Sequence, residues 1–499
     1  MPDEFEDEPP TRPAHEALRQ VAADALAYVS SVSDRPVAPS AVALAELAAF
    51  DEPLPESGAG VAGTLRLLAD VGGPATMAST GRRYFGFVTG ATHPAALGSS
   101  WLTGAWDQNA ALPVMSPVAA KLHGVVSEWL VDVLGLPTAT GVAFVSGATV
   151  ANASCLAAAR DALLTKQGWD VQADGLFGAP PFTVVVGAHA HSTLSKSLGL
   201  VGLGRSRVHV VPADDQGRMR ADLLPDIEGP VLACAQAGDV NTGAFDPFDA
   251  IADWVAARDG WLHVDGAFGL WALADPSRAP LVAGLDRADS WATDGHKWLN
   301  VTYDCGIAFV RRPGDLRRTF AAAADYLPPD DRFEAMHHTP QSSQRARQIE
   351  VWAVLRAVGR EGVADLVSRA CDVAVAIADR LRSAGFAILN DVALNQCSSA
   401  TPTGRRRSGC WPKSRQTDGS GADRPYGPAR RRCESASRRG RPTSMTLSMR
   451  LTSYSTAQHG SAASASPSFV RRSSLTPFGR VSRGGFAALS LLAAAGKPA

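Results

Sequence analysis

The stretch DSWATDGHKWLN, residues 289–300, places a histidine, a lysine and a tryptophan directly after a short apolar run. The run, Ala288 to Ala292, has the length and composition of a buried strand, so Lys297 is predicted to follow a strand end. An amine partly shielded from water at that position is a better nucleophile for forming a Schiff base. The same residues alone also suit a surface lysine whose stem packs on apolar neighbours. The segments upstream decide between these interpretations.

A second strand end carries Asp265, in the stretch HVDGAFG at residues 263–269. A buried carboxylate at this point can pair with the protonated pyridine nitrogen of a cofactor, and the small Ala267 leaves room for the ring face. An aspartate at a strand end is otherwise a turn former or a helix cap. The presence of Lys297 downstream favours the cofactor interpretation.

A third segment, SGAT at residues 146–149, leads into a predicted helix from Val150 to Leu164. Backbone amides at a helix start attract a phosphate group through hydrogen bonds and the helix dipole, and Ala148 and Thr149 would supply such contacts. Serine and threonine are also common helix N-caps without any ligand. This segment therefore supports a phosphate site only together with the others.

A fourth segment, AHAHST at residues 188–193, follows a predicted strand at the edge where open α/β sheets bind ligands. The imidazole of His191 could stack on an aromatic cofactor, on the face opposite Ala267. The pair His189 and His191 could instead be half of a metal site, but no nearby carboxylate or cysteine completes it. A hydrogen-bonded loop histidine is the third interpretation.

The pattern between residues 141 and 311 predicts an α/β layer with a mostly parallel sheet, because short apolar runs alternate with helical segments. The predicted strands are Phe182 to Val186, Arg207 to Val211, Val231 to Ala235, Trp261 to Val264 and Gly306 to Val310. Helices are predicted at His15 to Ser30, Ala41 to Ala49, Pro117 to Leu134, Pro247 to Arg258, Ser342 to Val358 and Val363 to Ser383.

Taken together, HVDGAFG, DSWATDGHKWLN and AHST resemble the fold type I pyridoxal phosphate (PLP) enzymes. Within them, the chain is similar to the group II decarboxylases of aromatic amino acids, tyrosine and glutamate, over about Ala14 to Asn395. The resemblance implies an aspartate-aminotransferase-like large domain, an N-terminal helical arm and a small C-terminal α+β domain. It also implies a homodimer with active sites at the subunit interface.

The resemblance further implies a role for each matching residue. Lys297 would form the Schiff base with PLP, Asp265 would pair with the pyridine nitrogen, and His191 would stack on the ring. The remaining predicted cofactor contacts are Ala148, Thr149, Ala267, Asp294, His296 and Thr89. The expected reaction is decarboxylation of an L-amino acid to the amine and CO2. Aldehyde formation, transamination or an inactive oligomerising relative are the alternatives.

Two positions depart from the family. Val240 occupies the place of a family threonine that contacts the cofactor, with Thr242 or Asn241 as possible substitutes. The stretch 333–339 lacks the tyrosine that protonates the carbanion in aromatic decarboxylases. His337 or His338 could act as the acid instead, since imidazolium donates protons near neutral pH. The substrate amino acid is left open.

Charge and composition bound the partners and the compartment. The chain has 48 basic and 49 acidic residues, which gives a net charge of −1 and no reason to expect nucleic acid or a membrane surface as partner. The first ten residues are acidic where a secretory signal would be basic and apolar, and the seven cysteines form no CxxC pair. We therefore expect a cytoplasmic protein.

The domain organisation is predicted as a helical arm (1–75), a large PLP-binding domain (76–340), the start of a small domain (341–396) and an aberrant tail (397–499). After Asn395 the chain carries 18 basic and only 3 acidic residues, and no apolar period persists. This composition suggests a reading-frame change or another disruption shortly after Gln396, with a genuine disordered extension as the milder interpretation. We expect little regular structure from Ser398 to Ala499.

Overall fold

The computed structural model describes residues 12–322, 333–400 and 445–448. Its centre is a seven-stranded sheet, with strand order β1-β7-β6-β5-β4-β2-β3. Every neighbouring pair is parallel except the two that β7 makes. The predicted α/β fold with a mostly parallel sheet is therefore confirmed. The strands are β1 (Gly141–Val145), β2 (Thr183–Gly187), β3 (His209–Val211), β4 (Val231–Gln236), β5 (Trp261–Asp265), β6 (Ser290–Asp294) and β7 (Gly306–Val310).

Helices precede the sheet, cover both of its faces and lead out of it. They are α1 (Arg12–Ser31), α2 (Ala41–Glu46), α3 (Gly60–Leu67), α4 (Gly73–Ala75), α5 (Pro94–Trp106), α6 (Pro117–Val133), α7 (Ala148–Lys166), α8 (Val171–Asp174), α9 (Ser192–Leu200), α10 (Phe248–Ala256), α11 (Pro313–Phe320) and α12 (Arg347–Ser383). None of the described helices is long and apolar enough to cross a membrane. Shorter helical turns lie at Leu47–Phe50, Leu68–Gly72, Ala221–Leu223, Gly269–Ala274, Pro276–Val282, Leu285–Arg287 and Ala335–His337.

Successive residues of each strand face two different apolar layers. On β1, Val142 and Phe144 belong to the layer that includes residues of α6 and α10, whereas Ala143 and Val145 belong to the layer formed with α7 and α9. Because both faces of the sheet are covered, positions of either parity are buried in every strand except β3. This explains why β1, β2, β4 and β7 are nearly continuous apolar runs.

The direction of the strands determines where a ligand site can form. The carboxyl ends of β1, β2, β4, β5 and β6 lie at one edge, where the loops carrying the predicted site residues begin. The antiparallel β7 brings Gly306 to the same edge. A Cβ atom on Gly306 would lie 2.3 Å from the carbonyl carbon of Gly147, so a residue without a side chain is needed for this close approach.

The passage to the smaller C-terminal part runs through α12, which is interrupted at Gly359 (φ 67°, ψ −179°). This break agrees with the two helices predicted on either side of it. A three-stranded antiparallel sheet follows, made of β8 (Ala387–Ile388), β9 (Gln396–Ala400) and β10 (Met445–Ser448). Little regular structure was expected from Ser398 onward, but Ser398 to Ala400 lie in β9 and Met445–Ser448 forms β10, so the expectation is wrong for these residues. The other residues of the tail lie outside the described ones.

Candidate active site

A cavity of about 300 Å³ opens at the carboxyl edge of the sheet. It gathers eight of the nine predicted cofactor contacts, although they lie on four different segments of the chain. Those eight are Ala148, Thr149, His191, Asp265, Ala267, Asp294, His296 and Lys297. Thr89 and His337 do not line it.

Lys297 lies beside a carboxylate that also holds the start of α7. Its Nζ is 3.0 Å from Oδ2 of Asp294, and Oδ1 of Asp294 accepts the backbone N–H of Ala148 at 2.6 Å. The same Oδ1 is 3.6 Å from Nε2 of His296, and burial lowers the pKa of that imidazole. Asp294 therefore connects the lysine loop to the helix start across the cavity wall.

Asp265 forms the polar floor of the cavity at the end of β5. Its side chain is buried, and one carboxylate oxygen accepts the backbone N–H of Ala267 at 3.2 Å. Burial raises the pKa of the Asp265 carboxyl, while the charges of Lys297 and His191 act in the opposite direction. A cationic group placed against Asp265 would be stabilised by a carboxylate that water reaches poorly.

His191 is the N-cap residue of α9 and is exposed along the cavity. Its Nδ1 accepts the backbone N–H of Thr193 and lies 2.7 Å from the Thr193 hydroxyl oxygen. The backbone N–H of His191 donates to Oε1 of Gln236 at 3.2 Å. The ring of His189 instead lies 3.5 Å from a carboxylate oxygen of Asp239. The two rings of the HxH motif thus serve different partners.

The start of α7 leaves a positive helix end open to the cavity. Its N-cap residue, Gly147, makes no side-chain cap, and Ala148 and Thr149 both line the cavity. A helix of this length concentrates partial positive charge on its first N–H groups. This end of the cavity is therefore suited to an anionic group such as a phosphate.

The loop that carries Thr89 packs against the lysine segment but presents other residues to the cavity. Phe87 and Val88 line it, with φ angles of 59° and 46°, whereas the Thr89 hydroxyl donates to the carbonyl of Gly86. Gly90 fixes the loop, since a Cβ there would lie 2.2 Å from the carbonyl oxygens of both His296 and Lys297. Thr89 consequently has no contact with the cavity in this chain.

At the position of the missing family threonine, Val240 lines the cavity. Neither Thr242 nor Asn241 replaces it there: the Thr242 hydroxyl donates to the carbonyl of Gln216 at 2.6 Å, and the carbonyl of Asn241 accepts from Ser398. This part of the cavity wall is therefore apolar where a hydroxyl was expected.

The two candidate proton donors lie away from this cavity, in and next to a short helical turn. Nε2 of His337 is 2.8 Å from Oε2 of Glu334, and its Nδ1 accepts the N–H of Ala322. His338 stacks on Phe333 with ring centroids 4.3 Å apart, and burial lowers its pKa. Both histidines are buried in the described chain.

Several polar residues near the cavity were not predicted. Gln236 accepts a hydrogen bond from the backbone of His191. The aromatic ring of Phe268, also not predicted, has its centre 5.9 Å from Nζ of Lys297. Behind Asp265, the buried Asn152 and His263 are hydrogen-bonded to each other at 2.9 Å. An asparagine between two alanines in the first turns of α7 was the one signal in the sequence for this last pair.

Comparison with known proteins identifies the family of this arrangement. A family model described as the pyridoxal-dependent decarboxylase conserved domain matches residues 75–398, which is more than half of the chain. The chain belongs to this family. The predicted family, its PLP cofactor and its enzyme class, carboxy-lyase, are thereby confirmed.

Individual relatives agree with this assignment. The chain is 31% identical over 357 residues to L-2,4-diaminobutyrate decarboxylase of Rhizobium meliloti (strain 1021), covering 66% of this chain and 67% of that enzyme. It is 31% identical over 291 residues to the acidic amino acid decarboxylase GADL1 of Mus musculus, covering 55% of this chain and 52% of the relative. The chain thus spans about half to two thirds of the length of these curated relatives.

Among solved structures, Oryza sativa TDC with PLP and tryptamine superimposes with a TM-score of 0.72 at 23% identity, covering 79% of this chain and 84% of that one. This likeness establishes the fold. The cavity also fits the cofactor by its own chemistry: it offers an amine for an aldehyde at Lys297, a carboxylate for a pyridinium at Asp265, and an open helix end for a phosphate at α7.

Proposed function

We propose that the chain decarboxylates an L-amino acid to the amine and CO2, with PLP held at Lys297. The observation that carries this proposal is the placement of Lys297, Asp265 and the start of α7 around one cavity. These three groups match the aldehyde, the ring nitrogen and the phosphate of the cofactor. When bound, PLP supplies an electron sink for the electron pair left behind when the α-carboxylate departs.

The residues of the cavity then have separate tasks. Lys297 holds the cofactor through its amine and yields that place to the amine of the substrate. Asp265 keeps a positive charge on the pyridine nitrogen, because a buried carboxylate favours a cation in contact with it. His191 covers one ring face and Ala267 leaves room at the other. The start of α7 binds the phosphate, with the backbone N–H of Thr149 as the donor, because that of Ala148 already donates to Asp294.

The return of a proton to the α-carbon needs an acid, and we retain His337 for this role. Imidazolium is a competent donor near neutral pH. In the described chain His337 pairs with Glu334 and does not line the cavity, so its action would require a second subunit or a rearrangement of this turn.

The substrate class follows only coarsely from the relatives. One relative is named for L-2,4-diaminobutyrate and another for acidic amino acids. In this chain Phe87, Val88 and Val240 give the cavity an apolar wall. A panel that includes diaminobutyrate, the acidic amino acids, cysteine sulfinate and the aromatic amino acids covers these possibilities.

The central experiment traps the cofactor on its lysine. Wild-type protein loaded with PLP is reduced with borohydride, digested and analysed by mass spectrometry, and the adduct is expected on the peptide that contains Lys297. Lys297→Ala should lose both the adduct and the visible absorbance of the bound cofactor. Lys121→Ala, an exposed lysine on α6, is the matched control and should keep both. An adduct on another lysine would contradict the proposal.

Product analysis separates the possible reactions. Decarboxylation releases CO2 and the amine from the panel of amino acids. Aldehyde with ammonia would indicate oxidative deamination, and a keto acid would indicate transamination. A chain that binds PLP but turns over none of these substrates would be the inactive relative.

We further propose a homodimer in a reducing cytoplasm. The N-terminal helices expose large apolar side chains that a second copy could cover, among them Leu18, Leu26, Val42 and Val61. The five described cysteines, Cys155, Cys234, Cys305, Cys371 and Cys397, are unpaired and buried. Sedimentation of the wild type against Leu26→Lys tests the dimer, since a charge in the covered face should shift the chain toward monomer.

A further inference from the structure

Three side chains of β5 point to the same face of the sheet, toward α7. Because strand side chains alternate, Trp261, His263 and Asp265 lie in one row along this face. β6 runs beside them in parallel, and its residue Ser290 is the register partner of His263. All of these side chains are buried, so water does not satisfy their polar atoms.

The polar atoms of this row form one connected series. Nε1 of Trp261 donates to Oγ of Ser290 at 2.9 Å. The same Oγ is 3.0 Å from Nδ1 of His263, whose Nε2 is 2.9 Å from Oδ1 of Asn152 on α7. The series therefore runs from the indole of Trp261 across β6 and β5 to helix α7, whose start lines the cavity.

The series ends at an unsatisfied group that faces the cofactor carboxylate. Nδ2 of Asn152 has no hydrogen-bond partner among the described residues, although the residue is fully buried. It lies close enough to Asp265 to lower the pKa of that carboxyl, against the stronger effect of burial. Burying an amide N–H without an acceptor costs free energy of folding. This indicates that the N–H of Asn152 is directed at the carboxylate of Asp265.

The direction of every hydrogen bond in the series is fixed. Burial lowers the pKa of His263 to about 3, so its ring is neutral and carries one proton. Because Oδ1 of Asn152 can only accept, that proton is on Nε2, and Nδ1 accepts from the Ser290 hydroxyl. The reversed asparagine would set its oxygen against the oxygens of Asp265. All donors thus point toward Asp265.

We propose that Asn152, His263 and Ser290, fed by the Trp261 indole, form a buried relay that keeps Asp265 ionised and thereby keeps the pyridine nitrogen of bound PLP protonated. The inference rests on the proposed function and deepens it. These are positioning residues, since none of the three lines the cavity. Aligned hydrogen bonds polarise one another, and the free amide N–H at the end of this series is close to a carboxylate.

The test reads the protonation of the cofactor directly. PLP labelled with ¹⁵N in its ring is bound to the wild type, to Asn152→Leu and to Ser290→Ala, and the ¹⁵N chemical shift is measured by NMR. The ¹⁵N chemical shift of the wild type is expected at the value of a protonated ring nitrogen. Asn152→Leu should move this shift toward the unprotonated value and weaken PLP binding about tenfold. Ser290→Ala should move the shift in the same direction by a smaller amount. Leu163→Ala, a buried residue further along α7, is the control, and its shift should stay at the wild-type value.

The outcomes separate the two levels of inference. A folded Asn152→Leu and a folded Ser290→Ala that both keep the wild-type shift and affinity overturn the relay alone. If Asn152→Leu does not fold, the shift of Ser290→Ala decides. A wild-type chain that binds no PLP overturns the relay together with the proposed function.

Discussion

Nζ of Lys297 lies 3.0 Å from Oδ2 of Asp294, three residues earlier in the chain. This contact makes Asp294 more than a neighbour of the phosphate, the role that the family resemblance implies for it. Its other oxygen accepts the N–H of Ala148 at the start of α7. One buried carboxylate thus sets the distance between the lysine and the start of α7.

The two contacts of Asp294 can be separated by substitution. Asp294→Asn keeps an acceptor for Ala148 and loses only the ion pair, whereas Asp294→Ala also leaves a buried N–H without a partner. We expect Asp294→Ala to lower the free energy of unfolding by about 2–3 kcal/mol and Asp294→Asn by about 1 kcal/mol. Denaturant unfolding without PLP measures both, with the exposed Asp249→Asn as control. Equal losses for the two variants would refute the bridging role.

Eight cavity residues could be predicted because their signals are local. Asp265, Asp294 and Lys297 each stand at or just after a run of buried residues, and the parallel sheet brings such ends to one edge. By contrast, β1 was not singled out, since its five residues merge directly into the segment that begins α7. Short apolar runs of this kind do not reveal where a strand stops.

The remaining features depend on contacts that no local pattern contains. Asn152 meets His263, 111 residues away, only because α7 packs on β5. Thr89 misses the cavity because Phe87 and Val88 adopt positive φ angles, which neither residue type favours. The contribution of such a loop depends on its tertiary neighbours, here the backbone of His296 against Gly90.

A cluster of charged residues around the buried Glu350 connects the segment after Lys297 to α12. Glu350, fully buried, pairs with Arg345 and accepts from the hydroxyl of Thr302, while Asp304 is 3.1 Å from Nε of Arg345. Glu350→Gln should lower the free energy of unfolding by about 2 kcal/mol. This is less than the roughly 3–5 kcal/mol for a fully buried pair, because Arg345 retains contact with solvent.

The cluster also predicts an effect on the cofactor site, since Thr302 and Asp304 follow the lysine closely. PLP affinity of Glu350→Gln, measured by titration of the bound-cofactor absorbance, should fall. Glu361→Gln is the matched control, because this glutamate lies on the same helix and is exposed. A wild-type stability for Glu350→Gln would show that the cluster does not hold this segment.

His337 can be tested for the role of proton donor by following both products in a single turnover. His337→Gln should slow amine formation by about a hundredfold while CO2 release changes little, because general acids contribute about 10²–10⁴-fold. His338→Gln serves as comparison, since that ring stacks on Phe333. If both variants form CO2 and amine at wild-type rates, the acid is another residue.

The ring of His123 predicts how stability depends on pH. It is buried between Phe333, stacked at 4.1 Å, and Phe144, edge-on at 5.2 Å, and burial lowers its pKa to about 3. An imidazole in the unfolded chain takes up a proton near its ordinary pKa of 6.5, so the unfolded state binds more protons between about pH 6.5 and 3. The contribution of His123 is therefore present above pH 6.5 and is lost as the pH falls.

His123→Phe should remove this contribution while keeping an aromatic ring in the stack. The free energy of unfolding of the wild type should fall between pH 7 and pH 5, and the variant should lose less by up to about 1.4 kcal/mol for each pH unit below 6.5. Urea unfolding at the two pH values measures the difference. The buried His263 keeps part of the pH dependence in both proteins, because its pKa is lowered in the same way. His209→Gln, which changes an exposed histidine on β3, is the control and should show the pH dependence of the wild type. If His123→Phe also keeps the wild-type pH dependence, the ring of His123 is not held neutral by burial.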